Sequence, residues 1–148
     1  MKVADQMTNH KYSVEFRIWG DTLDAEAVSR DLGLQPCQTR TAGASRFPGR
    51  IDRGMWAYNG PSGSPTEWTS LEEGLRHLSQ HLWPHREKLA KYAASSELVW
   101  WCGHFQSSFD GGPTLSPELL KRLGEFGAVL YIDNYFSRPE NPDDSLQS

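Results

Sequence analysis

The sequence predicts an α+β sandwich, and three observations carry that expectation. Residues Tyr12 to Trp19 alternate: Tyr12, Val14, Phe16 and Ile18 fall on one side, and Ser13, Glu15, Arg17 and Trp19 on the other. That is the period of a strand with one buried face. Leu71, Leu75, Leu78 and Leu82 recur at helical spacing. Glu97 to Phe105 is apolar almost throughout and reads as a central strand. The 148 residues suit roughly one domain, long enough to bury a core without a disulfide or a metal.

The remaining elements follow in chain order. Gly20 and Asp21 end the first strand, and Asp24 caps a short helix, Ala25 to Leu32, stopped by Gly33. Gln35 to Gly54 reads as a long loop, and Met55 to Tyr58 as a second strand. Asn59 to Pro65, rich in Gly, Pro and Ser, is a turn or loop. Ser70 and Glu73 have capping-box spacing ahead of the leucine stripe, with Trp68 placed to staple that helix. Pro84 kinks or interrupts it, and Arg86 to Ala94 continues as a second helical piece. After the loop Ser107 to Pro113, Ser116 caps a further helix with Pro117 at its first position. That helix runs to about Phe126 and ends at Gly127, and Ala128 to Phe136 is a fourth strand. Residues 1–11 read as a flexible start, 12–136 as the single domain and 137–148 as a polar tail.

The order contains an echo. Thr22-Leu23-Asp24-Ala25-Glu26 is answered by Thr114-Leu115-Ser116-Pro117-Glu118, and Arg30 and Arg122 sit at the same offset. Each copy lies in a strand, capped helix, strand unit. Two βαβ units with a helical segment between them predict a ferredoxin-like sandwich, with a four-stranded antiparallel sheet covered by helices on one face.

Composition bounds the function. Six Trp, five Tyr and six Phe exclude a wholly disordered chain. A net charge of −4 argues against general nucleic-acid binding, which rests on a basic surface. Met1 to Lys11 has no apolar run, and no apolar stretch is long enough to span a bilayer, so a cytoplasmic protein is expected, with Cys37 and Cys102 as free thiols.

Several landmarks in fixed order carry a resemblance. They are Gly20-Asp21, Leu23 to Glu26, Leu32 to Pro36, Gly43, Trp56, the Leu71 to Leu82 helix with Pro84, Leu115 to Leu120, and the closing Tyr131-Ile132-Asp133-Asn134-Tyr135. Over roughly Val14 to Tyr135 the chain resembles a bacterial family catalogued as domain of unknown function 4279. The resemblance implies no catalytic residues. By analogy it implies an immunity-type protein of the kind found beside secreted bacterial toxins.

Three constellations bear on chemistry. His77, His81 and His85 lie four apart, so His77 and His81 could share a metal, with Cys102 and His104 as further ligands from the neighbouring strand. The glutamate of a zinc-protease helix is missing, since residue 78 is leucine. The loop Arg40 to Arg53 sets Arg40, Arg46, Arg50 and Arg53 against Asp52 alone, a pattern suited to an anion or an acidic partner. The Cys102 and His104 pair is too far apart on a strand for a working nucleophile and base. No enzyme signature, resident metal or cofactor emerges.

Alternation in the last strand puts Tyr131, Asp133 and Tyr135 opposite its aliphatic positions, on the face shared by Glu15, Arg17 and Trp19. The strand Glu97 to Phe105 adds either Trp100, Cys102 and His104 or Trp101 and Phe105. Such a face is either an interface or a second small core beneath the long loop, the kinked helix or the tail. The expectation is a non-catalytic, protein-binding domain that occludes a basic toxin. Its contact residues would be Arg17, Trp19, Arg46, Arg50, Arg53, Trp56, Tyr131, Asp133 and Tyr135. A homodimer through the same face is a further expectation, and a metal- or anion-binding domain using His77 and His81 or the arginine loop is the alternative.

Overall fold

The computed structural model describes residues 10–136, so the expected N-terminal start up to residue 9 and the polar tail lie outside the described residues. Strand β1 (His10–Gly20) leads into helix α1 (Ala25–Leu32), whose Asp24 carboxylate accepts the backbone N–H groups of Glu26 and Ala27. Next come β2 (Gln38–Arg40), the small hairpin of β3 (Gly43–Ala44) and β4 (Ile51–Asp52), and β5 (Gly54–Tyr58). Helix α2 (Leu71–Leu82) runs into a 3₁₀ turn at Trp83–His85, then α3 (Arg86–Lys91) and a second such turn at Tyr92–Ala94. Strand β6 (Glu97–Gln106), helix α4 (Pro117–Gly124) and strand β7 (Val129–Phe136) close the chain. Pro84 therefore tightens the helix into a 3₁₀ turn, because it has no N–H to donate to the preceding turn.

The main sheet has five strands in the order β2-β5-β1-β6-β7. Neighbours from β2 to β6 are antiparallel, and β6 and β7 are parallel. This corrects the expected four-stranded antiparallel sheet in two respects. First, β1 and β5 pair antiparallel, with Gly20 opposite Gly54, so they are not the two strands of one βαβ unit. The strand that runs parallel to β1 after α1 is β2, inside the segment that reads as loop. Its residues Gln38, Thr39 and Arg40 are all exposed, so no apolar alternation marks it. Second, β6, α4 and β7 make a parallel unit that adds a fifth strand at the far edge.

The helices lie on one face. Tyr12, Val14, Phe16 and Ile18 of β1 meet Trp56 and Tyr58 of β5, Leu98, Trp100 and Cys102 of β6, and the leucines of α2. Leu71, Leu75, Leu78 and Leu82 are all buried, each contributing about 2 kcal/mol of transfer free energy as an upper estimate. Trp100 is the centre of this core. Its ring stands edge-on to Phe16 at 4.8 Å and to Phe126 at 5.0 Å, and its Nε1–H donates to the Leu123 carbonyl at 3.1 Å. Trp68 is held beside the start of β1 by paired backbone bonds with Tyr12, at 2.8 and 2.7 Å. Its indole lies over Gly74, where a Cβ would meet the ring at 3.0 Å. The close approach explains a glycine inside α2, a position that otherwise costs about 1 kcal/mol relative to alanine. No helix of the described residues is long and apolar enough to cross a membrane.

Candidate protein-interaction face

Strand alternation decides which side chains share the helix-free face of the sheet. The registers align Trp19 with Met55, Arg17 with Ala57, Glu15 with Trp101, and Trp101 with Tyr131. Of the two registers open for β6, the structure therefore takes the one that turns Val99, Trp101, Gly103 and Phe105 outward. Trp100, Cys102 and His104 face the helices and are buried.

The face divides into a closed half and an open half. Over β5, Met55 and Ala57 are fully buried, and Trp19 lies between Arg40 and Arg53, whose guanidinium carbons are 5.6 and 5.9 Å from its ring centre. At the middle, Arg17 stacks on Trp101 at 4.0 Å and donates from Nε to Glu15 Oε1 at 2.9 Å, with both charged side chains mostly buried. Over β7 and the far end of β6 the face is uncovered, while Val99 of β6 is buried. Phe105 (40% exposed), Tyr131 (50%), Tyr135 (41%) and Val129 (56%) form an apolar and aromatic patch. Phe105 and Tyr135 stack at 5.0 Å with their rings almost parallel. Asp133 sits among them and accepts a hydrogen bond from the Tyr135 hydroxyl, which holds the phenol above its usual pKa. Gly103 makes room for this stack, since a Cβ there would meet Ser13 Oγ at 2.6 Å and the Phe105 ring at 3.0 Å.

Of the residues expected to touch a partner, Arg17, Trp19, Tyr131, Asp133 and Tyr135 do share this face. Trp56 does not. It points into the core with 0% exposure, stacks on Tyr58 at 5.8 Å and donates from Nε1 to Ser29 Oγ at 3.0 Å. The register explains the correction, because Trp56 is paired with the core residue Ile18. Arg53 lies at the margin, with Asp21 at 3.6 Å, Glu97 at 3.5 Å and the Trp19 carbonyl at 3.4 Å. Arg46 and Arg50 belong to the β3–β4 hairpin, where both approach the Phe47 ring, at 5.0 and 5.9 Å. The four arginines of this segment are thus not gathered into one anion site. Arg40 and Arg53 do line a surface groove of about 550 Å³ with Trp19, Thr41 and Asp52.

His77 and His81 stand edge to face at 4.6 Å, and His77 Nε2 is 2.9 Å from Ser64 Oγ. Burial, helped by His81, lowers the His77 pKa. Among the described residues no group of three or more His, Cys, Asp or Glu side chains is placed to hold a metal ion. Cys102 and His104 face the same core, but burial pushes the Cys102 thiol up to about 12, the opposite of an activated nucleophile.

Sequence reasoning missed two polar clusters. His104 Nδ1 lies 2.9 Å from Asn134 Oδ1, its Nε2 lies 2.9 Å from His10 Nδ1, and His10 Nε2 lies 2.5 Å from the Asp110 carbonyl. This network ties β1, β6, β7 and the loop after β6 together, with Tyr12 stacked on His104 at 4.7 Å. The second cluster joins Glu72, Arg76 and Ser116 across α2 and α4. Both join residues far apart in the chain, and no local motif announces them.

One family model, described as Domain of unknown function (DUF4279), matches the chain over residues 10–137. No curated protein and no solved structure matches it.

Proposed function

The chain belongs to the DUF4279 family of domains of unknown function, and from that premise we propose that it is a non-catalytic protein-binding domain. In this reading it is a cytoplasmic bacterial immunity protein that occludes a basic toxin. The observation that carries the reading is the uncovered aromatic patch of Phe105, Tyr131 and Tyr135 around Asp133, in a chain of net charge −4. Tyrosine and arginine anchors dominate the energetics of protein interfaces, and an acidic inhibitor gains association rate against a basic target. Partly buried Arg17 and Trp101 would form the rigid floor beneath those anchors.

We also infer that the sandwich is ferredoxin-like at its core. The halves β1, α1, β2 and β5, α2, α3, β6, in the antiparallel order β2-β5-β1-β6, support that reading. Helix α4 and strand β7 are then an appended unit that carries most of the open patch.

The test is co-expression with any toxin whose gene adjoins this one in its host. The chain should restore growth and co-purify with the toxin in equal stoichiometry. A Tyr131→Ala/Tyr135→Ala variant should lose at least about 2 kcal/mol of binding. Absence of such a neighbour together with absence of any stoichiometric partner, or unchanged binding by the variant, refutes the proposal.

A further inference from the structure

The two edges of the main sheet are built differently. Strand β2 is three residues long, Gln-Thr-Arg, and polar throughout. Short polar edges are how folded proteins keep a sheet from growing. Strand β7 is eight residues long, reads Val-Leu-Tyr-Ile-Asp-Asn-Tyr-Phe, and is exposed or half-exposed along its whole length. It carries no lysine, arginine or proline, and its one charge is Asp133, whose Oδ2 accepts from Tyr135. Among the described residues no strand pairs with its outer edge. At its last residue, Phe136 stacks on Phe109 at 4.5 Å, and Phe109 is 83% exposed, so the apolar surface continues around the corner of the sheet.

We infer that the outer edge of β7 pairs antiparallel with β7 of a second copy, making one continuous sheet across a two-fold axis. The choice of occupant comes from self-complementarity. A two-fold axis perpendicular to the sheet keeps both helix layers on the same side, so only residues of like facing can oppose each other. Two such registers use nearly the whole strand. Centring on Asp133 sets that carboxylate against its own copy, a like-charge pair that is unfavourable. Centring on Ile132 avoids this conflict. It sets Ile132 against Ile132 and Leu130 against Asn134 on the helix side, and Val129 against Tyr135 on the open side. It also sets each Tyr131 hydroxyl beside the Asp133 carboxylate of the other copy, a donor opposite an acceptor, twice over. The strand is thus complementary to itself in one register. The dimer would join the two open faces into a single aromatic surface. The inference does not rest on toxin binding and uses the backbone edge rather than that face.

The test is the mass of the full chain by light scattering at micromolar concentration, with cross-linking. Wild type should give twice 16.7 kDa. Val129→Lys/Leu130→Lys, at two exposed positions, should halve that mass while keeping the thermal midpoint of folding. In a Cys37→Ser background, which removes the exposed native thiol, Ile132→Cys should couple to itself through a short bismaleimide, and Asp133→Cys should couple far less. A monomeric wild type overturns the inference, whether the edge is then covered by the tail or left bare. So does a dimer that survives the lysine variant, or one in which Asp133→Cys couples better than Ile132→Cys. Growth rescue by a wild type that is monomeric would leave the toxin-binding reading standing while this one fell, so the two fail separately.

Discussion

Glu72 Oε1 accepts the backbone N–H of Ser116 at 2.5 Å, and through that bond helix α2 caps helix α4. In an ordinary capping box the cap residue's own N–H is taken by a glutamate three positions on. Here that position is Leu119, which is buried, while Ser116 Oγ accepts the Leu119 N–H at 3.3 Å. Glu72 supplies the missing half from another helix. Arg76 completes the arrangement, donating to Glu72 Oε2 at 3.0 Å and to Ser116 Oγ at 3.1 Å.

This clamp should be visible as pH-dependent stability. The Ser116 N–H, and after it Arg76, hold the Glu72 carboxyl below its usual pKa. A depressed folded-state pKa contributes stability that is present above the unfolded value and lost as pH falls through the folded one. Wild type should therefore be more stable than Glu72→Gln at neutral pH, and the two should converge in acid. Urea midpoints measured from neutral to acidic pH test this. Parallel curves would show that Glu72 is not acting as a charged cap.

Removing one partner of a buried hydrogen bond costs more than removing both. Ser29→Ala leaves the buried Trp56 Nε1–H without its acceptor at 3.0 Å, and should cost about 1–3 kcal/mol. In a Trp56→Phe background the same change should cost under about 0.5 kcal/mol, since no donor is left to orphan. A double-mutant cycle by chemical denaturation measures the difference. Equal costs in both backgrounds would contradict the hydrogen bond's role.

What was legible in the sequence follows from how local each signal is. Asp24 and Ser116 are caps because their carboxylate and hydroxyl reach N–H groups two or three residues away, so spacing alone reveals them. The facing of Tyr131, Asp133 and Tyr135 follows from the two-residue period of a single strand. Trp56 was misplaced because a five-residue strand buried on both faces, Gly54 to Tyr58, offers no alternation to read. Strand β2 was invisible for the converse reason, being polar and exposed on both sides. Its place is set by ladder bonds to β5, and Cys37 N–H donating to the Ala57 carbonyl at 2.8 Å extends that pairing. The Glu72 and Ser116 pair lies 44 residues apart and depends on how α4 docks, which no local pattern encodes.

The two thiols should separate by access. Burial pushes Cys102 up to about 12, and the protein packed around Cys37, followed by the Glu15 carboxylate, pushes it up to about 11. The thiolate is the reactive form, so neither should react quickly at pH near 8. Cys37, which is exposed, should take up a chromogenic disulfide reagent slowly in the native protein, and Cys102 only on unfolding. Rapid reaction of both in the absence of denaturant would refute this.

Arg17 sets the floor of the open sheet face. Arg17 is held from two sides, by Glu15 at 2.9 Å through Nε and by the Trp101 ring at 4.0 Å from the guanidinium carbon. Both charged side chains are mostly shielded from water. Arg17→Ala takes the donor from a shielded carboxylate and the cation from the ring, and should cost about 1–3 kcal/mol. Glu15→Gln keeps an acceptor for Arg17 and leaves the stack in place, so it should cost under about 1 kcal/mol. Arg17→Lys should recover only part of the loss, because an ammonium cannot lie flat on the indole while donating sideways to Glu15. Urea denaturation ranks the three variants. Arg17→Lys matching wild type would show that only the charge matters, and that the planar stack contributes nothing.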